Sequence, residues 1–133
     1  MTLSSQVVSP LTAGSTNTSY SYVFASTAIT VSAGSQLLAQ FDVGSFTVSQ
    51  VNGCQLSING ATVSAATCAV NTSSNAVVFS NAAASSISLN NLSVSFRSNG
   101  ASYSGTSNIL FYFQDSTGLQ NTDSRVNTTV SIV

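Results

Sequence analysis

Apolar residues in this chain recur at every second position, and most of the positions between them carry hydroxyls or amides. Tyr20, Tyr22 and Phe24 alternate with Ser19, Ser21 and Val23. Leu92, Val94 and Phe96 alternate with Ser93 and Ser95, and Val126, Thr128, Val130 and Ile132 with Asn127, Thr129 and Ser131. A period of two turns one face towards a core and leaves the other to water. β-Branched residues dominate these runs, as suits a pleated, half-buried surface. No segment sustains a 3.6-residue stripe, and Ser, Thr and Asn, together 55 of 133 residues, are poor helix-interior residues. The chain reads as all-β.

Turn signals punctuate the runs at Ser32-Ala33-Gly34-Ser35, Asn59-Gly60, Asn71-Thr72-Ser73-Ser74, Ser98-Asn99-Gly100 and Ser116-Thr117-Gly118. Short strands spaced this way read as an antiparallel sandwich or barrel. Strands are expected near 5–9, 18–25, 28–32, 36–42, 45–51, 54–58, 61–66, 76–80, 87–96, 108–114 and 126–133. The run Ile109-Leu110-Phe111-Tyr112-Phe113 is apolar on both faces, which predicts a central strand covered on both sides. The alanine-rich stretch 81–86 is too short for more than a turn. Pro10 falls between the first two strands, where it costs no ladder hydrogen bond. There is no internal repeat and no linker, so 1–133 reads as a single domain.

Charge is nearly absent. There is no Lys, Glu or His, and the whole inventory is Arg97, Arg125, Asp42, Asp115 and Asp123. Charged residues make up 4 % of the chain, against about 25 % in an ordinary domain. Apolar residues are still 43 %, enough to bury a core, so the chain does not read as disordered. A serine nucleophile needs a base beside it, and neither His nor Lys is present to serve. The three aspartates read as turn residues, with a local ion pair between Asp123 and Arg125, and no catalytic residue is expected. The oxygen-rich loop 115–123 matches no calcium-loop spacing and carries only two carboxylates. Two arginines at a net charge of −1 cannot supply the counterion release that drives nucleic-acid binding. No cofactor is expected.

Cys54 and Cys68 are the only thiols. Asn59-Gly60 is a strong two-residue hairpin signal; it pairs Ile58 with Ala61 and Cys54 with Ala65, leaving Cys68 three residues out of register. A bulge or a longer loop would bring the sulfurs together. The alternatives are a disulfide or two buried thiols in a reducing compartment, and composition and spacing favour the disulfide. Such a bridge contributes on the order of 3 kcal/mol in the chain-entropy account. Two sulfurs without His cannot complete a zinc shell.

Four sites read N-x-[ST]: Asn17, Asn71, Asn91 and Asn127. Covalent glycans there would supply the solubility that charge normally gives. Asn17 and Asn71 lie in expected turns, while Asn91 and Asn127 alternate with core positions. Tyr103, in the loop 98–107, is the one aromatic expected to be exposed, as a loop anchor or a sugar platform. No apolar run reaches the ~18 residues of a membrane span, and the start Met1-Thr2-Leu3-Ser4-Ser5 does not read as a signal peptide.

Edge strands of a sandwich invite pairing unless guarded by Lys, inward charges or Pro. Here there is no Lys and one Pro. The first 16 residues therefore read as a donor strand and hinge, with Leu3, Val7 and Val8 as the assembly residues and 11–17 as a flexible joint. The last strand, 126–133, reads as integral to its sheet. The partners expected are other copies of the chain or neighbouring modules.

One further pattern runs through the chain: Asn17-Thr18-Ser19-Tyr20-Ser21-Tyr22-Val23-Phe24, Ile29-Thr30-Val31-Ser32-Ala33-Gly34-Ser35, the pair Cys54 and Cys68, Ala76-Val77-Val78-Phe79, Ser86-Ile87-Ser88-Leu89 and Thr106-Ser107-Asn108-Ile109-Leu110-Phe111. In this order it resembles the immunoglobulin-like repeats found in tandem in very large cell-surface proteins of ciliates and related protists. The resemblance implies an immunoglobulin-like sandwich and an extracellular structural module, with no catalytic residues to carry over. The sequence thus predicts a non-catalytic subunit of an extracellular filament or surface coat. The alternative is an adhesin or lectin-like module of a larger surface protein.

Overall fold

The alternating pattern resolves into two five-stranded sheets in the computed structural model, which describes residues 1–42 and 46–133. The strands in chain order are β1 (Thr2–Ser9), β2 (Thr18–Val31), β3 (Gln36–Phe41), β4 (Val51–Ile58), β5 (Ala61–Thr62), β6 (Thr67–Asn71), β7 (Ala76–Ser80), β8 (Ile87–Ser98), β9 (Gly105–Gln114) and β10 (Val126–Ile132). The first sheet runs β1-β2-β8-β4-β5 and the second β10-β9-β3-β7-β6. Every neighbouring pair is antiparallel.

The inward positions of both sheets form one apolar core. Tyr20, Tyr22 and Phe24 of β2 and Leu92, Val94 and Phe96 of β8 meet Leu37, Phe79, Ile109, Phe111 and Phe113 of the second sheet. Burying each such side chain stabilises the fold by roughly 1.5–3 kcal/mol. Rings pack tightly across the gap: Phe111 lies 4.6 Å from Tyr22 and 5.0 Å from Phe24, centroid to centroid. The Tyr20 hydroxyl donates to Asn99 O at 3.3 Å. Burial pushes the phenol pKa values of Tyr20 and Tyr22 well above their ordinary range.

Several expected boundaries move. The stretches 18–25 and 28–32 belong to one strand, β2, whose pairing with β8 shifts register between Ala25 and Ile29. The 61–66 strand shrinks to Ala61–Thr62, because the chain then leaves the first sheet to begin β6 in the second. Of the expected strand at 45–51, Ser45 lies outside the described residues and 46–50 run without ladder pairing. β9 is second from the edge rather than central. Its inner residues Ile109, Phe111 and Phe113 face the core. Its outer residues Leu110 and Tyr112 gather with Leu38, Ala76 and Val78 into a small cluster on the outer face. Mutual packing of five side chains, not a covering layer, makes that run apolar on both sides.

Candidate functional site

The two long sides of the sandwich differ, and the features singled out in the sequence sort between them. On one side β4–β5 and β6 are tied together. The Asn59-Gly60 hairpin pairs Ile58 with Ala61 as expected, and Val63 N still donates to Leu56 O at 2.8 Å. The chain then crosses to the other sheet, so Cys54 on β4 and Cys68 on β6 form a disulfide between the sheets, with Cα atoms 6.3 Å apart. The register offset disappears without a longer hairpin or a bulge between its two strands, because the two cysteines never belonged to one ladder. β5, two residues long, also blunts this edge of the first sheet.

Amides do the pinning that charged pairs do elsewhere. Asn75, buried and at φ +54°, donates from Nδ2 to Phe41 O and Phe46 O at 3.1 and 2.8 Å and accepts from Val48 N at 2.9 Å. Asn99 accepts from Ser49 N and donates to Thr47 O. Together they hold the segment 46–49 on its way from β3 to β4. Asn59, at φ +52°, donates to Ser88 O and accepts from Asn90 N and Asn91 N. Small polar side chains tolerate this left-handed backbone better than most. The sequence marked Asn59 and Asn99 as turn residues and missed Asn75. Its only signal is an Asn directly before an apolar strand.

The other side is closed by two unguarded edge strands, β1 and β10. β1 pairs with β2 of its own chain over Thr2–Ser9, with a register shift between Leu3 and Ser5. Leu3 and Val8 are partly buried against the core, while Val7 is 59 % exposed. Gln6, inward of the shift, donates from Nε2 to Thr129 O of β10 at 2.9 Å. A groove of about 430 Å³ runs here, between Gln6, Val8 and Leu11 on one bank and Thr129, Val130 and Ser131 on the other. Neither strand carries a charged residue. The stretch 11–17, expected as a flexible joint, is held by backbone bonds: Ala13 N to Val133 O, Val133 N to Leu11 O, and Gly14 N to Ala101 O, each 2.8 Å.

The remaining marked residues do not converge. Asn17, Asn71, Asn91 and Asn127 are all exposed, on different elements. Asp42 Oδ2 accepts from Asn108 N and Nδ2, both at 3.0 Å. Asp115 Oδ1 accepts from the Thr117 hydroxyl at 2.6 Å and from Thr117 N and Leu119 N at 2.9 Å. Those donors, the Thr117 hydroxyl first, hold its carboxyl below the ordinary carboxylate range. The expected Asp123–Arg125 ion pair is not formed: Arg125 Nη1 donates to Gln120 Oε1 at 2.9 Å. The neutral amide lies within reach once the turn Thr122–Ser124 sets the backbone. Among the described residues no three His, Cys, Asp or Glu side chains group as metal ligands. Tyr103 is 66 % exposed. No helix among the described residues is long and apolar enough to cross a membrane.

Two antiparallel sheets with this strand order define an immunoglobulin-like β-sandwich. No family model matches the sequence, and no curated protein does. Among solved structures the chain is similar to the N-terminal domain of the Streptococcus gordonii adhesin Sgo0707, with TM-score 0.57 and 11 % identity over 96 % of this chain and 32 % of that one. It is similar to domains D2 and D3 of the major pilin SpaD from Corynebacterium diphtheriae, with TM-score 0.56 and 12 % identity over 97 % of this chain and 50 % of that one. A third is the C-terminal domain of the Streptococcus pyogenes antigen I/II-family protein AspA, with TM-score 0.50 and 9 % identity over 99 % of this chain and 46 % of that one. The chain thus spans about a third to a half of these structures, and at such identities the likeness is one of fold. All three are bacterial, so they lend no support to the protist family that the sequence pattern resembles.

Proposed function

We propose that the chain is a non-catalytic structural module of an extracellular filament or surface coat, in which copies join head to tail by exchanging β1. The observation that carries this reading is the open side. The segment 1–9 adds only Met1, Leu3 and Val8 as partly buried apolar residues, so leaving β2 costs little core. The strand is uncharged and its main-chain groups can be satisfied equally by β2 of a neighbouring copy. The pilin and adhesin domains that share the fold fit a surface role. Exposed Asn17, Asn71, Asn91 and Asn127 provide attachment points for covalent glycans. A second reading, an adhesin or lectin-like module, draws on Tyr103, whose exposed ring is a platform for a sugar.

The test is light scattering after size exclusion over rising concentration, with negative-stain imaging. The intact chain should associate with concentration, and a chain lacking residues 1–9 should stay monomeric and bind a synthetic peptide of residues 1–9. An intact chain that remains monomeric throughout sinks strand exchange. Glycan binding abolished by Tyr103→Ala would establish the second reading in its place.

A further inference from the structure

We infer that Asn52-Gly53 is a self-modifying site, at which the folded protein converts a neutral amide into a carboxylate opposite Arg97. The chain holds three Asn-Gly pairs, at 52–53, 59–60 and 99–100. Glycine after asparagine is the least hindered setting for ring closure. The Gly amide nitrogen, having lost its proton, attacks the Asn side-chain carbonyl carbon. The bond from that carbon to the side-chain nitrogen then breaks, and ammonia leaves. Water opens the resulting succinimide at either carbonyl, giving aspartate or isoaspartate. Water is the only co-reactant, and nothing is oxidised or reduced.

The fold treats the three pairs differently. Asn59 has both side-chain atoms bound to the β8 backbone, through Ser88 O at 2.8 Å, Asn90 N at 2.7 Å and Asn91 N at 3.2 Å. Asn99 is held at both ends, by Ser49 N at 2.9 Å and by Thr47 O at 2.6 Å. The attacking nitrogen of the third pair is engaged as well, since Gly100 N donates to Ser15 O at 2.7 Å. Gly100 is also so enclosed that an added Cβ would lie 2.9 Å from the Thr18 hydroxyl.

Asn52 and Gly53 are exposed. No hydrogen bond holds the Asn52 side chain among the described residues. Gly53 sits at φ +60° in the register break between Asn52 and Gln55, where β4 has no ladder partner on β8. Ring closure there needs only a local backbone adjustment, whereas the other two pairs must first give up several hydrogen bonds. Losing one or two bonds of ordinary net strength slows a reaction about tenfold. The product lands in a defined place. Asn52 pairs directly with Arg97 of β8, and the Arg97 side chain passes within 3.7 Å of the position a Gly53 Cβ would take. The new carboxylate therefore faces one of the two cations of a chain whose net charge is −1.

The experiment incubates the folded protein at mildly alkaline pH and follows each pair by peptide mapping, with isoelectric focusing of the intact chain. A second arm runs in denaturant. Asn52 should convert at least about tenfold faster than Asn59 and Asn99 in the folded protein, and the three rates should draw together in denaturant. Asn52→Ser, an exposed change, should remove the main acidic species. Equal native rates at the three pairs, faster native conversion at Asn59 or Asn99, or an acidic species that survives Asn52→Ser each overturn the proposal.

Discussion

The disulfide side and the open side of this sandwich border one core by opposite means. On the disulfide side a covalent bond joins the sheets, a two-residue strand blunts one edge, and buried Asn75 fixes the neighbouring crossover. On the open side two full-length strands lie beside each other, joined by the Gln6 amide. One side is joined covalently; the other is joined by a hydrogen bond and by partly buried apolar residues. The contrast teaches that a chain with almost no charge can close one side of a sandwich covalently and leave uncharged edge strands on the other.

The largest expected effect comes from breaking the closed side. Replacing both Cys54 and Cys68 by Ala should lower stability by about 3 kcal/mol, read from denaturant unfolding with and without reductant. Association should be unaffected; a change in oligomeric state on reduction would contradict the division of labour between the sides.

Next in size is Asn75→Ala. It strands Val48 N and Phe46 O without their partners and places alanine at φ +54°. The cost should be about 2–3 kcal/mol, measured by thermal or denaturant melting. A loss under about 0.5 kcal/mol would show that the amide is replaceable by water.

On the open side, Gln6→Ala should cost only about 1 kcal/mol or less. It should nevertheless raise hydrogen exchange along β1 and strengthen association, because it frees the strand without shortening it. Unchanged exchange would show that the β1–β10 bond is not what holds the edge.

The smallest expected effect is that of pH. Asp115 has its carboxyl held below its ordinary value of 3.8, so the stability from its turn is present above that value and is lost as pH falls below it. Tyr20 and Tyr22 have their pKa values raised above 10.0 by burial. Their contribution is present below pH 10 and is lost as pH climbs past it. With no His or Glu between them, stability should be flat from about pH 5 to 7. A slope in denaturation midpoints across that window would reveal a titrating group outside this set.

Much of the fold was legible because burial on a sheet has a strict period. Tyr20, Tyr22, Phe24, Leu92, Val94 and Phe96 had to share a face wherever the strands went, and all six are core. The hairpin at Asn59-Gly60 was legible for a similar reason, since few residues other than these accept its backbone. The expected ion pair at Arg125 failed because neighbours in sequence are not neighbours in space until the turn between them is known. β6 was missed because Thr67-Cys68-Ala69-Val70 is short and weakly patterned, and its pairing with β7 is what makes it a strand.

From the sequence alone, local chemistry determined the all-β class, the identity of the core faces, the scarcity of groups for acid–base work and the turn at residue 59. Those properties depend on side-chain period and backbone tolerance, which act over a few residues. Only the tertiary structure decided that Cys54 and Cys68 span two sheets, that β1 and β10 lie edge beside edge, and that Asn59 and Asn99 are locked while Asn52 has no such bonds among the described residues. Each of these depends on which strands become neighbours across tens of residues. That choice is made by packing the whole core at once, and no local pattern records it.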